Sequence, residues 1–182
     1  MRIRHAVDAL KRGGVIAYPT EACFGLGCDP FSRDAVYRIL SLKRRSVEQG
    51  LILIAAKLEQ LAPFIDTTDT ALLEQPVASW PGPNTWILPA RPGTPEWITG
   101  KHPGIAVRVS DHPLVLKLCN QYAGAIVSTS ANPHGLPPAR TAPQVEAYFP
   151  HRLDYVLYGA TGGRENPSQI RDAATGATLR SS

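Results

Sequence analysis

The sequence Ala-Ile-Val-Ser-Thr-Ser-Ala-Asn-Pro-His-Gly, residues 125–135, changes abruptly from apolar β-branched residues to hydroxyls and an amide. Its first half has the composition of a buried strand, and the proline and glycine at its end predict a turn. Ligands of α/β proteins bind at the carboxyl ends of strands. We therefore expect four side chains to line the mouth of a crevice: Ser128, Thr129, Ser130 and Asn132. A turn in which these side chains only cap their own backbone is the alternative, and the stretch alone leaves both open.

The length and composition favour a globular protein, with residues 1–182 forming a single domain. Hydrophobic residues make up 43% and charged residues 19% of the chain, which argues against disorder. We find no apolar run of the length that a signal peptide or a membrane span requires. The sequence therefore predicts a cytoplasmic protein that does not enter a membrane.

The positive charges lie mainly at the ends of predicted elements, in a chain of net charge +4 and pI near 9.1. The residues concerned are Lys43, Arg44, Arg45, Arg108, Arg140, Arg164 and Arg171. Such positions suit an anionic ligand, either phosphate or nucleic acid. Three cations at 43–45 can also simply complement the dipole of a helix end. The three cysteines show no paired spacing, so neither a disulfide framework nor a zinc site is predicted.

Apolar periodicity predicts helices alternating with strands. We expect helices near 3–10, 32–45, 58–65, 70–77, 114–122 and 141–148, and strands near 15–18, 51–55, 85–89, 104–109, 125–127 and 154–158. Thr20 and Glu21 then follow the end of the first strand, a Pro/Gly-rich connection spans 91–104, and residues 169–172 and 177–180 form a closing hairpin. This order favours an α/β fold with a mixed sheet rather than a purely parallel one.

Several chemistries are disfavoured by missing motifs. The chain has no Walker loop and no Gly-x-Ser-x-Gly elbow. A catalytic triad that uses His102, His112 or His134 stays open as a remote alternative. The remaining candidates are hydroxyls and cations at the ends of elements: Thr20, Lys43, Arg45, Arg108, Ser128, Ser130 and Asn132. Such a set suits binding and charge neutralisation, and we predict no protein nucleophile and no metal ligated by the protein alone.

Six groups of residues resemble, in the same order, the YrdC/TsaC family of threonylcarbamoyl-AMP synthases. They are Tyr-Pro-Thr-Glu at 18–21 with Phe-Gly-Leu-Gly at 24–27, Leu-Lys-Arg-Arg at 42–45 with Gly-Leu at 50–51, Trp-Pro-Gly-Pro-Asn-Thr at 80–85, Ala-Val-Arg-Val-Ser-Asp-His-Pro at 106–113, Ser-Thr-Ser-Ala-Asn at 128–132 and Asn-Pro-Ser-Gln-Ile-Arg-Asp at 166–172. The resemblance spans almost the whole chain and is to the short bacterial form.

The resemblance implies an open, twisted, mixed β-sheet with flanking helices and a deep basic concave cleft. It also implies the conversion of L-threonine, bicarbonate and ATP to threonylcarbamoyl-AMP and pyrophosphate, with Mg²⁺ accompanying ATP. Transferase complex proteins would then move the group onto tRNA, and a direct contact with tRNA or double-stranded RNA is compatible with the cleft.

The resemblance also implies roles for the residues that stand at the matching positions of the family's motifs. Thr20, Arg108 and Ser128 are expected to bind threonine or its carbamate. The residues expected to bind ATP are Lys43, Arg45, Ser130, Asn132, Arg140 and Ser168.

Three positions depart from the family pattern: Ser46 stands where proline is frequent, Gln49 where lysine is frequent, and Pro133-His134-Gly135 where Ser-Gly is usual. The first two put the loop on the phosphate side in question, and the third puts in question any contact of the missing serine.

Two other functions compete with the synthase. A protein that binds double-stranded or structured RNA during ribosome or RNA maturation would also use a basic cleft, although the chain has no RNA-binding signature. A paralogue that retains only nucleotide binding is the third possibility.

Overall fold

The fold is organised around a nine-stranded mixed sheet, seen in a computed structural model that describes residues 2–181. The strands are β1 (Ile16–Pro19), β2 (Phe24–Gly27), β3 (Ile52–Ala55), β4 (Asn84–Pro89), β5 (Gly104–Val109), β6 (Ile126–Ser130), β7 (Tyr155–Val156), β8 (Gln169–Asp172) and β9 (Thr178–Arg180). The helices are α1 (Arg2–Lys11), α2 (Arg33–Lys43), α3 (Ala71–Ser79), α4 (Glu96–Thr99), α5 (Pro113–Tyr122) and α6 (Ala142–Tyr148). Two short 3₁₀ turns, Val47–Gln49 and Leu58–Gln60, flank β3.

The strands lie side by side in the order β7-β1-β2-β6-β3-β5-β4-β8-β9. The pairs β1/β7, β3/β5 and β4/β8 are parallel, and the remaining neighbours are antiparallel. The predicted α/β fold with an open mixed sheet and flanking helices is therefore confirmed, as is the closing hairpin β8/β9.

Helices cover the two faces of this sheet. Alternate residues of one strand enter different clusters: Leu53 and Ala55 pack in a cluster with α2, whereas Ile54 packs in a second cluster with α1 and α5. This alternation follows from the two-residue period of a strand. It explains why the run 51–55 is apolar throughout, as expected of a strand that is covered on both faces.

β6 lies between β2 and β3, near the middle of the sheet. Ser130 pairs with Gly25 of β2, and Ser128 pairs with Ile52 of β3. The predicted strand is correct, but its predicted end is not, because the ladder continues through the hydroxyl residues. Ser128 and Ser130 therefore project from within the sheet rather than from a turn after it.

Other boundaries also differ from the predictions. Residues 24–27, which carry two glycines and no β-branched side chain, form β2 because their backbone pairs with β1 and β6. The connection 91–104 contains the one-turn helix α4, whereas residues 58–65 contain only a 3₁₀ turn. Among the residues described, we find no helix with the length and apolar character that a membrane crossing needs.

Gly27 is required by close packing within the sheet. A Cβ atom there would lie 2.7 Å from the carbonyl oxygen of Val127 and 2.7 Å from Cε1 of Tyr18. At Gly25, two residues earlier on the same strand, the nearest atoms would be 3.4 Å away, which is ordinary contact.

We expect Gly27→Ala to lower the free energy of unfolding by roughly 1 to 3 kcal/mol, because the neighbouring backbone must move to admit the methyl group. Gly25→Ala is the matched control and should cost less than the Gly27 variant in the same urea denaturation experiment. Equal losses for the two variants would contradict the packing described here.

Candidate functional site

A cavity of about 560 Å³ opens on the sheet, lined by residues from both halves of the chain. Seven of the residues predicted from the sequence line it: Thr20, Arg45, Arg108, Ser128, Thr129, Ser130 and Ser168. They come from the loop after β1, the segment after α2, β5, β6 and the segment before β8. The fold thus brings together side chains that are far apart in sequence.

Arg108 is the most deeply placed cation of this cavity, with only 7% of its surface exposed. Its Nη1 lies 3.0 Å from Oε2 of Glu21, and the Ser110 hydroxyl donates to Oε1 of Glu21 at 2.6 Å. Burial by itself would raise the pKa of Glu21, but Arg108 and Ser110 outweigh it and hold that pKa below its ordinary value. The buried Nε of Arg108 has no hydrogen-bond partner within the described structure. Because Arg108 lines the cavity, its guanidinium group is a candidate donor to an anionic ligand there.

Thr20 follows β1 and is buried at the cavity wall. Its hydroxyl donates to the carbonyl oxygen of Cys23 at 2.8 Å, which fixes the side chain and leaves the oxygen able to accept. Cys23 lines the same wall, and burial raises the pKa of its thiol. This corner combines a hydroxyl acceptor with a neutral thiol.

The hydroxyls of β6 form another part of the lining, with Ser128 buried and Ser130 half-buried. Across the cavity, Ser168 lies 2.9 Å from the hydroxyl of Thr85. These serines are oriented by the sheet, and the structure shows no hydrogen bond from a histidine to any of them among the described residues. The arrangement suits binding of polar ligand atoms.

Three further arginines line the cavity besides Arg108: Arg45, Arg164 and Arg180. Arg45 donates to the carbonyl oxygen of Gly50 at 2.9 Å, and Arg180 donates to that of Ser168 at 2.8 Å. Burial and the nearby Arg180 lower the pKa of Arg45, while burial and Arg108 lower that of Arg180. Like charges placed this close together favour a ligand with several negative charges.

Glu21 and Arg180 are site residues that the sequence predictions did not include. The sequence predicts that Glu21 follows the end of a strand beside Thr20, and this position is the feature that could have identified it as a site residue. Arg180 lies on the last strand, which reads only as one arm of a hairpin. Its role at the cavity depends on the pairing of β8 with β4 and of β9 with β8.

Three predicted ATP ligands, Lys43, Asn132 and Arg140, do not line the cavity. Lys43 is buried, and its Nζ donates to oxygens of Ser130 and Asn132. Burial and the neighbouring Arg45 lower the pKa of Lys43 to about 8. Arg140 is exposed and donates to the carbonyl oxygen of Glu165 at 2.6 Å. Their contacts with ATP remain predictions.

The three departures from the family pattern have visible local roles. Ser46 accepts a hydrogen bond from the backbone of Glu48 and caps the 3₁₀ turn, and Gln49 lines the cavity. His134 is exposed in the turn after β6. The residue nearest to the site among the three is therefore Gln49.

Known proteins resemble this chain over nearly all of its length. The profile of the Sua5/YciO/YrdC family (Telomere recombination) matches residues 8–182. A protein of Pseudomonas aeruginosa PAO1 named threonylcarbamoyl-AMP synthase is 53% identical over 179 residues, which are 98% of this chain and 96% of that protein. The protein of the same name from Klebsiella pneumoniae is 55% identical over 180 residues, covering 98% of this chain and 94% of its own.

Solved structures extend the comparison to three dimensions. P. abyssi Sua5 complexed with L-threonine superposes with a TM-score of 0.87 and 31% identity over 93% of this chain. The chain spans only 50% of that longer protein. E. coli YciO, at 23% identity and a TM-score of 0.78, covers 93% of this chain and 82% of its own and shares the fold.

We expect Glu21→Gln to lower the free energy of unfolding at pH 7 by about 2 to 3 kcal/mol, because buried Arg108 loses its counter-charge. The pKa of Glu21 is lowered by folding, so its stabilisation is complete above the unfolded pKa of about 4.3 and is lost as the pH falls through the lower folded value. The difference between wild type and variant should therefore shrink in acid.

Urea denaturation between pH 3 and pH 7 measures this difference. Glu74→Gln, which removes an exposed carboxylate from α3, is the matched control and should have little effect. A Glu21→Gln penalty that is small at pH 7 or constant across this range would contradict the ion pair.

Proposed function

The chain belongs to the Sua5/YciO/YrdC family, and we propose that it forms threonylcarbamoyl-AMP and pyrophosphate from L-threonine, bicarbonate and ATP. Curated relatives that share more than half of its residues over nearly its full length are named for this synthase. The observation that carries the proposal is buried Arg108, which lines a cavity together with Thr20 and three other arginines.

The chemistry of this reaction requires alignment more than a protein nucleophile. The amine of threonine forms a bond to the carbon of bicarbonate and a C–O bond breaks with loss of water, which gives a carbamate. An oxygen of this carbamate then attacks the α-phosphorus of ATP. A carbamate oxygen–phosphorus bond forms, the bond from the α-phosphorus to the bridging oxygen breaks, and the electron pair leaves with pyrophosphate. Alignment and neutralisation of the charge on the leaving group lower the barrier of such a transfer. Hydroxyls and guanidinium groups supply both.

Residues near Arg108 suit the amino acid and its carbamate. Arg108 offers a charged donor to a carboxylate or carbamate, and Thr20 and Ser128 offer hydroxyls to the same cavity. Because Glu21 lies 3.0 Å from Arg108 and offsets its charge, recognition at this point depends on directed hydrogen bonds more than on net positive charge.

Residues around Arg45 suit the nucleotide, which we expect to enter as its Mg²⁺ complex. Arg45 and Arg180 offer guanidinium groups to the phosphates, with hydroxyls from Ser130 and Ser168 nearby. Arg140 is assigned to the rim, since its guanidinium lies outside the lining. These arginines make the cleft electropositive in this proposal.

The product is a mixed anhydride of a carbamate and a phosphate, which an amine can attack. In the proposed pathway, transferase complex proteins move the threonylcarbamoyl group to tRNA in the cytoplasm, with residues 1–182 acting as a single domain. Binding of double-stranded RNA as the main function is less well supported, because the relatives compared above are named for the synthase.

Purified protein supplied with ATP, Mg²⁺, bicarbonate and threonine should release pyrophosphate, and omission of threonine should abolish the release. An enzyme-coupled pyrophosphate assay measures this. If folded protein that binds ATP releases no threonine-dependent pyrophosphate, the proposed function is wrong. RNA binding that falls steeply with salt in such a protein would then favour the alternative.

Arg108→Ala should raise the KM for threonine roughly 10- to 100-fold, the loss expected for a charge-assisted hydrogen bond, and change ATP binding much less. Arg45→Ala is the reciprocal control and should weaken ATP more than threonine. Steady-state kinetics with each substrate varied in turn separate the two effects. Equal losses of both ligands in Arg108→Ala, with the variant still folded by circular dichroism, would contradict the placement of Arg108.

A further inference from the structure

The connection between β7 and β8 lies against the loop that follows β1. Residues 159–164 of this connection, which we call the strap, are held there by main-chain hydrogen bonds. The amide of Gly162 donates to the carbonyl oxygen of Thr20 at 3.0 Å. The amide of Arg164 donates to the carbonyl oxygen of Glu21 at 3.0 Å, and Arg164 lines the cavity. The strap is therefore joined to the two loop residues that border the cavity.

Two glycines allow the strap to pack closely on its neighbours. A Cβ atom at Gly162 would lie 3.0 Å from Cα and 3.0 Å from the carbonyl oxygen of Glu21. A Cβ atom at Gly159 would overlap Cδ1 of Leu114, in the first turn of α5. Glycine is thus needed at both positions for space. The strap touches the loop after β1 and the start of α5 at once.

The side chain of His112 also holds the strap. Its Nε2 lies 3.1 Å from the carbonyl oxygen of Ala160, and its Nδ1 accepts from the amide of Leu114 at 3.3 Å, which caps α5. A carbonyl oxygen only accepts, so Nε2 carries the proton, and Nδ1 must be without one to accept. The two contacts therefore specify a neutral ring in one tautomer. His112 is buried, with 5% of its surface exposed.

The main chain of His112 leads to the same loop by a second route. Its amide donates to the Ser110 hydroxyl at 3.1 Å, and that hydroxyl donates to Oε1 of Glu21 at 2.6 Å. Glu21 in turn pairs with Arg108. Replacing the imidazole leaves these main-chain groups in place. The contact between the ring and Ala160 can therefore be tested separately from the ion pair.

We propose that His112 is a positioning residue, which holds the strap through Ala160 and thereby keeps Thr20 and Glu21 in place for the amino-acid substrate. The effect on threonine rests on the proposed function, whereas the contact between ring and strap does not. Arg45, on the nucleotide side, is held by the carbonyl oxygen of Gly50 instead. Loosening the strap therefore weakens the use of threonine more than that of ATP.

Two substitutions separate the two contacts of the ring. In His112→Asn the amide oxygen can replace Nδ1 and keep the cap of α5, but the side chain is too short to reach Ala160. In His112→Gln the amide nitrogen can replace Nε2 and keep the contact with Ala160. His112→Gln is therefore the matched control, since it changes the same buried residue and retains the strap.

Steady-state kinetics and calorimetry with L-threonine measure the effect. We expect His112→Asn to raise both the KM and the Kd for threonine about 5- to 10-fold, the loss expected for one hydrogen bond. The KM for ATP should stay at the wild-type value, and His112→Gln should keep all three constants. Equal losses in the two variants, or a loss for ATP as large as that for threonine, would overturn the proposal.

Gly162→Ala tests the strap without changing His112, and it replaces His112→Asn if that variant fails to fold. The added methyl group pushes the strap away from Glu21. Threonine binding should then weaken to the same extent as in His112→Asn, again with little change for ATP. A folded Gly162→Ala protein that binds threonine as tightly as wild type would overturn the proposal.

Hydrogen exchange tests the strap independently of activity. The amides of residues 162 and 164 should exchange faster in His112→Asn than in wild type or His112→Gln, while those of α3 keep the wild-type rate. Unchanged exchange at 162 and 164 in His112→Asn would overturn the proposal. Failure of the proposed function alone would leave wild type without threonine-dependent pyrophosphate release but with this exchange difference intact.

Discussion

The ion pair between Arg108 and Glu21 is the constraint around which the site is built. Arg108 lies on β5, in the inner part of the sheet, where an unpaired charge would cost several kcal/mol or more. Glu21 can reach it only because the loop after β1 lies over the carboxyl end of β5. The backbone oxygen of Glu21 also accepts from the amide of Arg164, so the main chain of the same residue holds a third segment near the cavity. The fold and the site therefore depend on the same contact.

β6 supplies another part of the cavity lining. Its pairing with both β2 and β3 fixes the direction of Ser128, and a hydrogen bond from Lys43 to the carbonyl oxygen of Ser130 holds the strand where the pairing ends. The close approach of Gly27 to Val127 brings β2 tightly against the same strand. Hydroxyls held in this way need little rearrangement when a ligand binds, which favours an enzyme that works by alignment.

Much of this could be predicted from the sequence, because alternation and apolar runs identify strands such as β3 and β5 directly. Motif order also predicted that Thr20, Arg108 and Ser128 serve one site. β2 was missed because glycine has no intrinsic preference for strands, and its conformation is decided by its neighbours. Lys43 shows the other limit: two of its four acceptors are backbone oxygens, which no side-chain pattern reveals. Arg180 reaches the cavity through two strand pairings that a linear sequence does not specify.

The central claim is that the protein binds and aligns its substrates and contributes no nucleophile of its own. Rapid quenching of the reaction with ATP labelled at the α-phosphate, followed by separation of protein from small molecules, tests this most directly. We predict that the label appears only in a small-molecule adenylate, and only when threonine and bicarbonate are both present. Label bound covalently to the chain, above all with ATP alone, would contradict the claim and would point to a serine or lysine of the cavity region as a nucleophile.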